Sequence, residues 1–303
     1  MARTAAVSVP ATSANLGPGY DSLGLALELR DYVTATLTDQ PDVTVTIEGM
    51  GAGVLPTDET HLVAKIIIQA CAGFGLEVTG LEVTCQNAIP QGRGLGSSAA
   101  AIVAGLVLAR ELSDATADED ELLQMATAIE GHPDNVAACL LGAMTIAWIE
   151  ADGRPNSVSM NVHPDIFPLA AVPNVELSTK KARGLIPTQI PHEDAAFNVA
   201  RSALLVASMI GDPTFLLEAT ADRLHQTYRT EAYPESMALV QSLRGQGIAA
   251  FISGAGPSVL ALCTTTNAQS AMEIVGTSGF TAIPVPVADQ GAVVVPISAP
   301  EAQ

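Results

Sequence analysis

The stretch Pro90-Gln91-Gly92-Arg93-Gly94-Leu95-Gly96-Ser97-Ser98 limits what this chain can fold into more than any other. It follows an alternating apolar and polar run, residues 81–86, that reads as a strand. It leads into residues 99–112, a run of Ala, Val and Leu that reads as a buried helix. Glycines on alternate positions leave little side chain along the loop. Backbone N–H groups can then face an anion, and the helix adds the positive end of its dipole. Ser97 and Ser98 stand where the helix begins, and a hydroxyl there can cap the helix or hold a phosphate or its metal ion. A glycine-rich turn with a Ser cap before a core helix accounts for the same residues without a ligand. The common nucleotide loop is excluded, because no Lys follows the last glycine. The dinucleotide fingerprint is excluded by its spacing and by the lack of a suitably placed acid.

With 303 residues the chain can form one large or two ordinary domains. Hydrophobic residues make up 48% and aromatics only 4%, so the core must be built from Ala, Val, Leu and Ile. A formal charge of −19, from 13 basic and 32 acidic residues, argues against nucleic acid or an anionic membrane as the main partner. It leaves room for a small anion, which feels a local loop more than the global field. The N-terminal stretch lacks a long apolar segment of the secretory kind, and the uncharged runs are broken by Gly, Ser and Pro. Cys71, Cys85, Cys139 and Cys263 are far apart and form no C-x-x-C pair, which fits reduced core residues in the cytoplasm. No His/Cys group has zinc spacing.

In chain order, residues 5–9 read as a strand that runs into a loop dense in turn formers and small polar groups, residues 10–21. Asn15 and Asp21 could serve turns alone, yet a long polar loop between core strands often carries function. An apolar run, residues 23–29, follows. Residues 33–37 and 43–48 alternate cleanly and predict a strand pair. Helices are predicted over 62–74, 119–128 and 136–141, and a strand over 143–150. Asp152-Gly153-Arg154-Pro155-Asn156 is the clearest break, a turn or a boundary between domains 1–153 and 154–303. Beyond it come strands near 158–162 and 170–173, a polar loop over 178–187, and helices over 193–210, 213–221, 223–228 and 234–246. A second glycine loop, Ser253-Gly254-Ala255-Gly256-Pro257-Ser258, lies between strands 249–252 and 259–263. A helix, 268–277, and strands 280–287 and 292–297 close the chain. The mixture predicts an α+β fold in two domains.

Three polar, glycine-bearing segments thus stand at the start, middle and end of the chain. Together, in this order, they resemble the signature motifs of the GHMP small-molecule kinases, and Gly94-Leu95-Gly96-Ser97-Ser98-Ala99-Ala100 is the most specific of them. Within that superfamily the chain is most similar to the homoserine kinases. The similarity runs through Thr12-Ser13-Ala14-Asn15-Leu16-Gly17-Pro18-Gly19-Tyr20-Asp21, Glu130-Gly131-His132-Pro133-Asp134-Asn135 and Leu224-His225-Gln226-Thr227-Tyr228-Arg229. The resemblance implies a two-domain GHMP kinase fold, with a ribosomal protein S5 domain 2-like N-terminal domain and a ferredoxin-like C-terminal domain. It implies phosphorylation of L-homoserine by ATP with Mg²⁺, a step of threonine synthesis. It also implies a cytoplasmic enzyme, a homodimer, with no nucleic-acid or membrane partner.

Site residues follow from the resemblance one at a time. The nucleotide would lie on Pro90, Gln91, Gly92, Arg93, Gly94, Leu95, Gly96, Ser97 and Ser98, with Gly254 and Gly256 packed close to the phosphates. Ser98 and Glu130 match the Mg²⁺ positions, a hydroxyl and a carboxylate as a hard cation prefers. Asn15, Asp21, His132, Asn135, Thr179, Arg183 and Arg229 match the homoserine pocket. Of these, Asn135 is expected to orient the acceptor hydroxyl and Asp21 to meet the ammonium, while Arg183 and Arg229 meet the carboxylate. Asp134 could cap the helix that follows it. His61 departs from the Asn common near the adenine, and Lys180 and Lys181 replace acids beside Arg183. A kinase with another acceptor, and a non-catalytic nucleotide-binding protein on the same fold, are the competing readings. The lack of an N-terminal Lys and the presence of the two arginines count against mevalonate as the acceptor.

Overall fold

The computed structural model describes residues 3–175 and 182–297. A first sheet is built from β1 (Thr4–Ala14), β2 (Leu23–Thr38), β3 (Val43–Gly49), β4 (Gly80–Asn87), β5 (Met144–Ile149), β6 (Pro155–Met160) and β11 (Val293–Val294). Its main path runs β11-β1-β2-β4-β3, and β5 joins the far end of β2 and carries β6. A second sheet holds β7 (Phe167–Val172), β8 (Ala249–Ile252), β9 (Val259–Cys263) and β10 (Thr281–Pro284) in the order β10-β7-β9-β8. Helices separate β7 from β8 and β9 from β10, so this unit has the β-α-β-β-α-β pattern of ferredoxin-like folds.

Several elements differ from their sequence reading. The first strand continues through Pro10 to Ala14, because the ladder to β2 slips at Pro10/Ala11 and the bulge accommodates a residue with no N–H. Residues 23–29 and 33–37 are one long strand, β2. It does not pair with β3, because β4 lies between them, antiparallel to β2 and parallel to β3. Helix α1 (Leu62–Gly73) supplies the crossover that a parallel pair requires. The turn from β2 to β3 arches over the start of β4. A Cβ on Gly80 would overlap the Gln40 carbonyl, so only glycine fits there. The break at Gly153 is the hairpin turn between β5 and β6 of one sheet. The change of sheet comes after Met160, and β11 returns to the first sheet beside β1.

Helix α2 (Ser97–Ser113) is buried on nearly every side, from Ala99 to Leu112, between α1 and the sheet. That explains its lack of a polar stripe. Helices α3 (Glu119–Glu130) and α4 (Asp134–Leu141) follow, and Asp118 caps α3 with Glu121 in a reciprocal capping box. The cores are aliphatic, as the composition requires, and all four cysteines are free and buried. Among the described residues no helix is long and apolar enough to cross a membrane.

Candidate active site

Hydrogen bonds join the three glycine-bearing segments into one floor. Thr12 N–H donates to Leu95 O at 3.1 Å, and Gly254 N–H donates to Ala14 O at 3.1 Å. Ser253 Oγ lies 2.8 Å from Ser13 Oγ and 2.6 Å from Gly94 O, so one hydroxyl touches both other segments. Asn15 donates its Nδ2 to Gly254 O at 2.8 Å and accepts from Asp21 N–H at 3.0 Å. Asp31 fixes the start of the central loop by accepting from the N–H groups of Ala88 and Ile89.

Above this floor lies a cavity of about 230 Å³. Its lining includes Asn15, Gly92, Gly94, Gly96, Ser97, Ser98, Glu130, His132, Asn135, Arg183, Arg229 and Gly254. Gly92, Gly94 and Gly96 all have positive φ, between 63° and 74°. Gly96 is the N-cap of α2, and no side chain caps the helix, so its positive end opens on the cavity. Neither serine is the cap. Instead Ser98 Oγ donates to Glu130 Oε2 at 2.8 Å. Burial pushes the Glu130 carboxyl above the usual range, and the Ser98 hydrogen bond opposes that rise.

A hydroxyl and a desolvated carboxylate side by side form a hard-oxygen pair that suits Mg²⁺. Among the described residues no group of three or more His, Cys, Asp or Glu could hold a metal. The pair would therefore hold Mg²⁺ only in company with phosphate oxygens and water.

Three groups meet at the start of α4. Asp134 Oδ1 accepts from Asn135 N–H at 2.7 Å and contacts His132 Nδ1 at 2.6 Å. Asp134 is thus the first residue of α4, not its cap, and it orients both neighbours. Burial disfavours a charged His132, yet the Asp134 hydrogen bond and charge raise its pKa overall. Asn135 Oδ1 accepts from Thr12 Oγ1 at 2.8 Å, which fixes the direction of the amide.

Asp21 and Arg183, expected to meet opposite ends of an acceptor, meet each other in the two-point geometry an Arg favours with a carboxylate. Arg183 Nη2 lies 2.6 Å from Asp21 Oδ1, and Nη1 lies 3.0 Å from both Asp21 Oδ2 and Tyr20 Oη. Arg229 differs. Its residue is 1% exposed, its Nε donates to Ala182 O at 3.1 Å, and no carboxylate of the described residues lies within ion-pair distance.

The remaining expected site residues are placed in several ways. Pro90 and Leu95 are buried in the fold beneath the loop and do not line the cavity. Gly256 packs against Tyr233 and Ile252, whereas Arg93 does line the cavity while donating to the carbonyls of Gln91, Pro173 and Asn174. Asn15 reaches the cavity wall with its amide already bonded at both ends. Thr179, Lys180 and Lys181 lie outside the described residues. Gln91 and His61 line a second cavity of about 270 Å³, which shares Ser97 and Ser98 with the first. Its wall includes Val9, Val33, Leu55, Val63 and Ala100, and His61 Nδ1 is buried there without a partner. Thr12, Tyr20 and His225 were not legible as site residues. Their sequence signal is that all three stand inside the segments that carry the family resemblance.

The glycine cradle makes a prediction. A Cβ at Gly94 would overlap Ser253 O and come within 3.0 Å of Gly256 N, whereas one at Gly53, at the same φ, meets nothing. Both Gly94→Ala and Gly53→Ala should lose about 1–2 kcal/mol to the left-handed backbone. Only Gly94→Ala should weaken ATP binding, by about tenfold or more in calorimetry, because it drives the third segment off the loop. Equal ATP affinities in the two variants would make the loop a structural turn.

Two sheets meet over a glycine loop that opens a buried helix, and comparison with known proteins shows which family this arrangement belongs to. The GHMP kinases N terminal domain model matches residues 61–143, and the GHMP kinases C terminal model matches residues 202–280. A homoserine kinase of Clavibacter michiganensis is 50% identical over 298 residues, covering 96% of this chain and 94% of that protein. One from Streptomyces coelicolor is 49% identical over 295 residues, with 96% and 94% covered. The crystal structure of homoserine kinase from Cytophaga hutchinsonii superposes with a TM-score of 0.85 at 29% identity, covering 96% of this chain and 97% of that one. The chain belongs to the homoserine kinase family of the GHMP kinases.

Proposed function

We propose that this chain transfers the γ-phosphoryl group of ATP to the side-chain hydroxyl of L-homoserine, giving O-phospho-L-homoserine and ADP, a step of threonine biosynthesis. The observation that carries the acceptor's identity is Arg229. A buried guanidinium without an acid partner is costly, and a substrate carboxylate entering the adjoining cavity would neutralise it. Asp21 keeps a free lone pair on each oxygen while Arg183 holds it, so it can accept from the ammonium. Thr12 holds Asn135 by its oxygen and Asp134 Oδ1 takes one N–H of the amide at 3.3 Å, which leaves the other N–H to face the acceptor hydroxyl. Phosphoryl transfer is loose in character and needs positioning and charge stabilisation more than a strong base. The cradle N–H groups and the end of α2 supply that stabilisation. Ser98 and Glu130 would hold Mg²⁺, which adds positive charge at the transferring group. The second, apolar cavity is where we place the adenine, against His61.

A coupled assay of ADP release with L-homoserine, L-serine, L-threonine, mevalonate and a hexose tests this reading. L-Homoserine should give the highest kcat/KM, and turnover without acceptor should be slight. Faster reaction of mevalonate or the sugar would overturn the acceptor, and no stimulation by any acceptor would leave only nucleotide binding.

A further inference from the structure

His225 takes no part in the chemistry described above, yet it touches the residue on which acceptor recognition rests. Its side chain is fully buried. Nε2 lies 2.7 Å from Gly17 O, and Nδ1 lies 3.3 Å from Arg229 Nη1. A carbonyl oxygen can only accept a hydrogen bond, and a guanidinium N–H can only donate one. The two neighbours therefore fix the ring as the neutral tautomer with its proton on Nε2. The other tautomer, or the imidazolium, would set N–H against N–H at Arg229. Asp222 Oδ2 stands 3.7 Å from Nε2 and favours a proton on that edge over one on Nδ1. Asp222 is itself fixed by the N–H groups of Leu224, His225 and Gln226. Burial lowers the pKa of His225 and so keeps it neutral.

The choice of a neutral acceptor has a physical meaning. A Glu or Asp in this place would orient Arg229 and also neutralise it, leaving little attraction for a substrate carboxylate. An imidazole lone pair orients the guanidinium and leaves its charge whole. The Tyr20 ring packs on His225 with centroids 5.2 Å apart, and Arg229 Cζ sits 5.7 Å from the Tyr20 centroid. Gly17 and Tyr20 belong to the same loop as Asp21.

We propose that His225 is a positioning residue for acceptor recognition: its neutral Nδ1 accepts from the Arg229 guanidinium and sets its direction toward the substrate carboxylate without cancelling its charge, while the Nε2 contact with Gly17 O serves to hold the ring in the fold. This rests on the reading of Arg229 as the carboxylate-binding group.

The test separates the two edges of the ring. In His225→Asn the amide oxygen takes the place of Nδ1 and can accept from Arg229, but the side chain is too short to reach Gly17. In His225→Gln the amide nitrogen can reach Gly17, and the acceptor at the Nδ1 place is lost. His225→Leu loses both. The Asn variant should keep the homoserine KM within about threefold of the parent, while Gln and Leu raise it about tenfold or more, with the ATP KM nearly unchanged. Melting temperatures should fall in a different order, with Leu lowest and Gln nearest the parent. Nitrogen-15 spectra of the imidazole in the ligand-free parent should show the proton on Nε2. A parental homoserine KM in the Gln variant, losses that simply follow melting temperature, or a proton on Nδ1 would each overturn the proposal. If the parent does not use homoserine at all, the acceptor reading fails, and the spectrum still decides the tautomer on which the His225–Arg229 contact depends.

Discussion

Replacing Glu130 with Gln should lower kcat by about tenfold or more, roughly 1.4 kcal/mol of barrier, and shift the Mg²⁺ requirement to higher concentration. The substitution keeps shape and an acceptor for Ser98 Oγ, now 2.8 Å from Glu130 Oε2, so the fold should persist. What it removes is charge. No Arg, Lys or His of the described residues lies within ion-pair distance of Glu130, and the more distant charges of His132 and Arg183 do not outweigh its burial, so the site favours an arriving cation. ATP binding measured without metal should therefore change little.

The pH dependence gives a second readout. Burial raises the Glu130 pKa, so the folded protein holds this proton to higher pH than the unfolded chain does. The stability linked to that proton is present at low pH and falls as pH rises through the folded value, so the Gln variant should be no less stable than the parent at pH 8. The metal-binding charge changes in the opposite sense, and the parent's activity should fall on the acid side where Glu130 takes up its proton. That limb should be absent from the variant. Parental turnover in Glu130→Gln at limiting Mg²⁺ would remove the metal assignment.

The parts of the site that were legible in the sequence are those where residue type alone carries backbone meaning. Gly92, Gly94 and Gly96 mark a chain that must take positive φ, and Ser97 and Ser98 mark a helix start. The parts that were not legible depend on who lies beside whom. Alternation in residues 33–37 and 43–48 reports which face of a strand is buried and says nothing about its neighbour, so the insertion of β4 between β2 and β3 could not be read. Pro10 suggested a strand end because a bulge leaves no mark in a single strand. The pairing of Asp21 with Arg183 joins residues 162 positions apart, and each alone looked like a ligand for substrate. Thr12 was hidden for a related reason. Its hydroxyl matters only because α4 brings Asn135 within 2.8 Å.

That pairing also changes which arginine should matter more. Arg183 has its two terminal nitrogens on Asp21 and Tyr20, whereas Arg229 faces no carboxylate among the described residues. Arg229→Lys keeps a positive charge but loses the donors to Ala182 O and His225 Nδ1, and an ammonium is a compact, strongly hydrated charge that cannot grip a carboxylate with two parallel bonds. The homoserine KM should rise about tenfold to a hundredfold, roughly 1.4 to 3 kcal/mol, with the ATP KM nearly unchanged. Aminopropanol, which is homoserine without its carboxylate, supplies the control. It should be a poor acceptor for the parent and lose little further on mutation, because the group that Arg229 recognises is absent. Arg183→Lys should raise the homoserine KM less than Arg229→Lys does, since an ammonium can still pair with Asp21 and no carboxylate depends on it alone. Equal losses for homoserine and aminopropanol in Arg229→Lys would show that Arg229 shapes the cavity without binding the carboxylate, and the acceptor's anion would then have to be sought on Arg183.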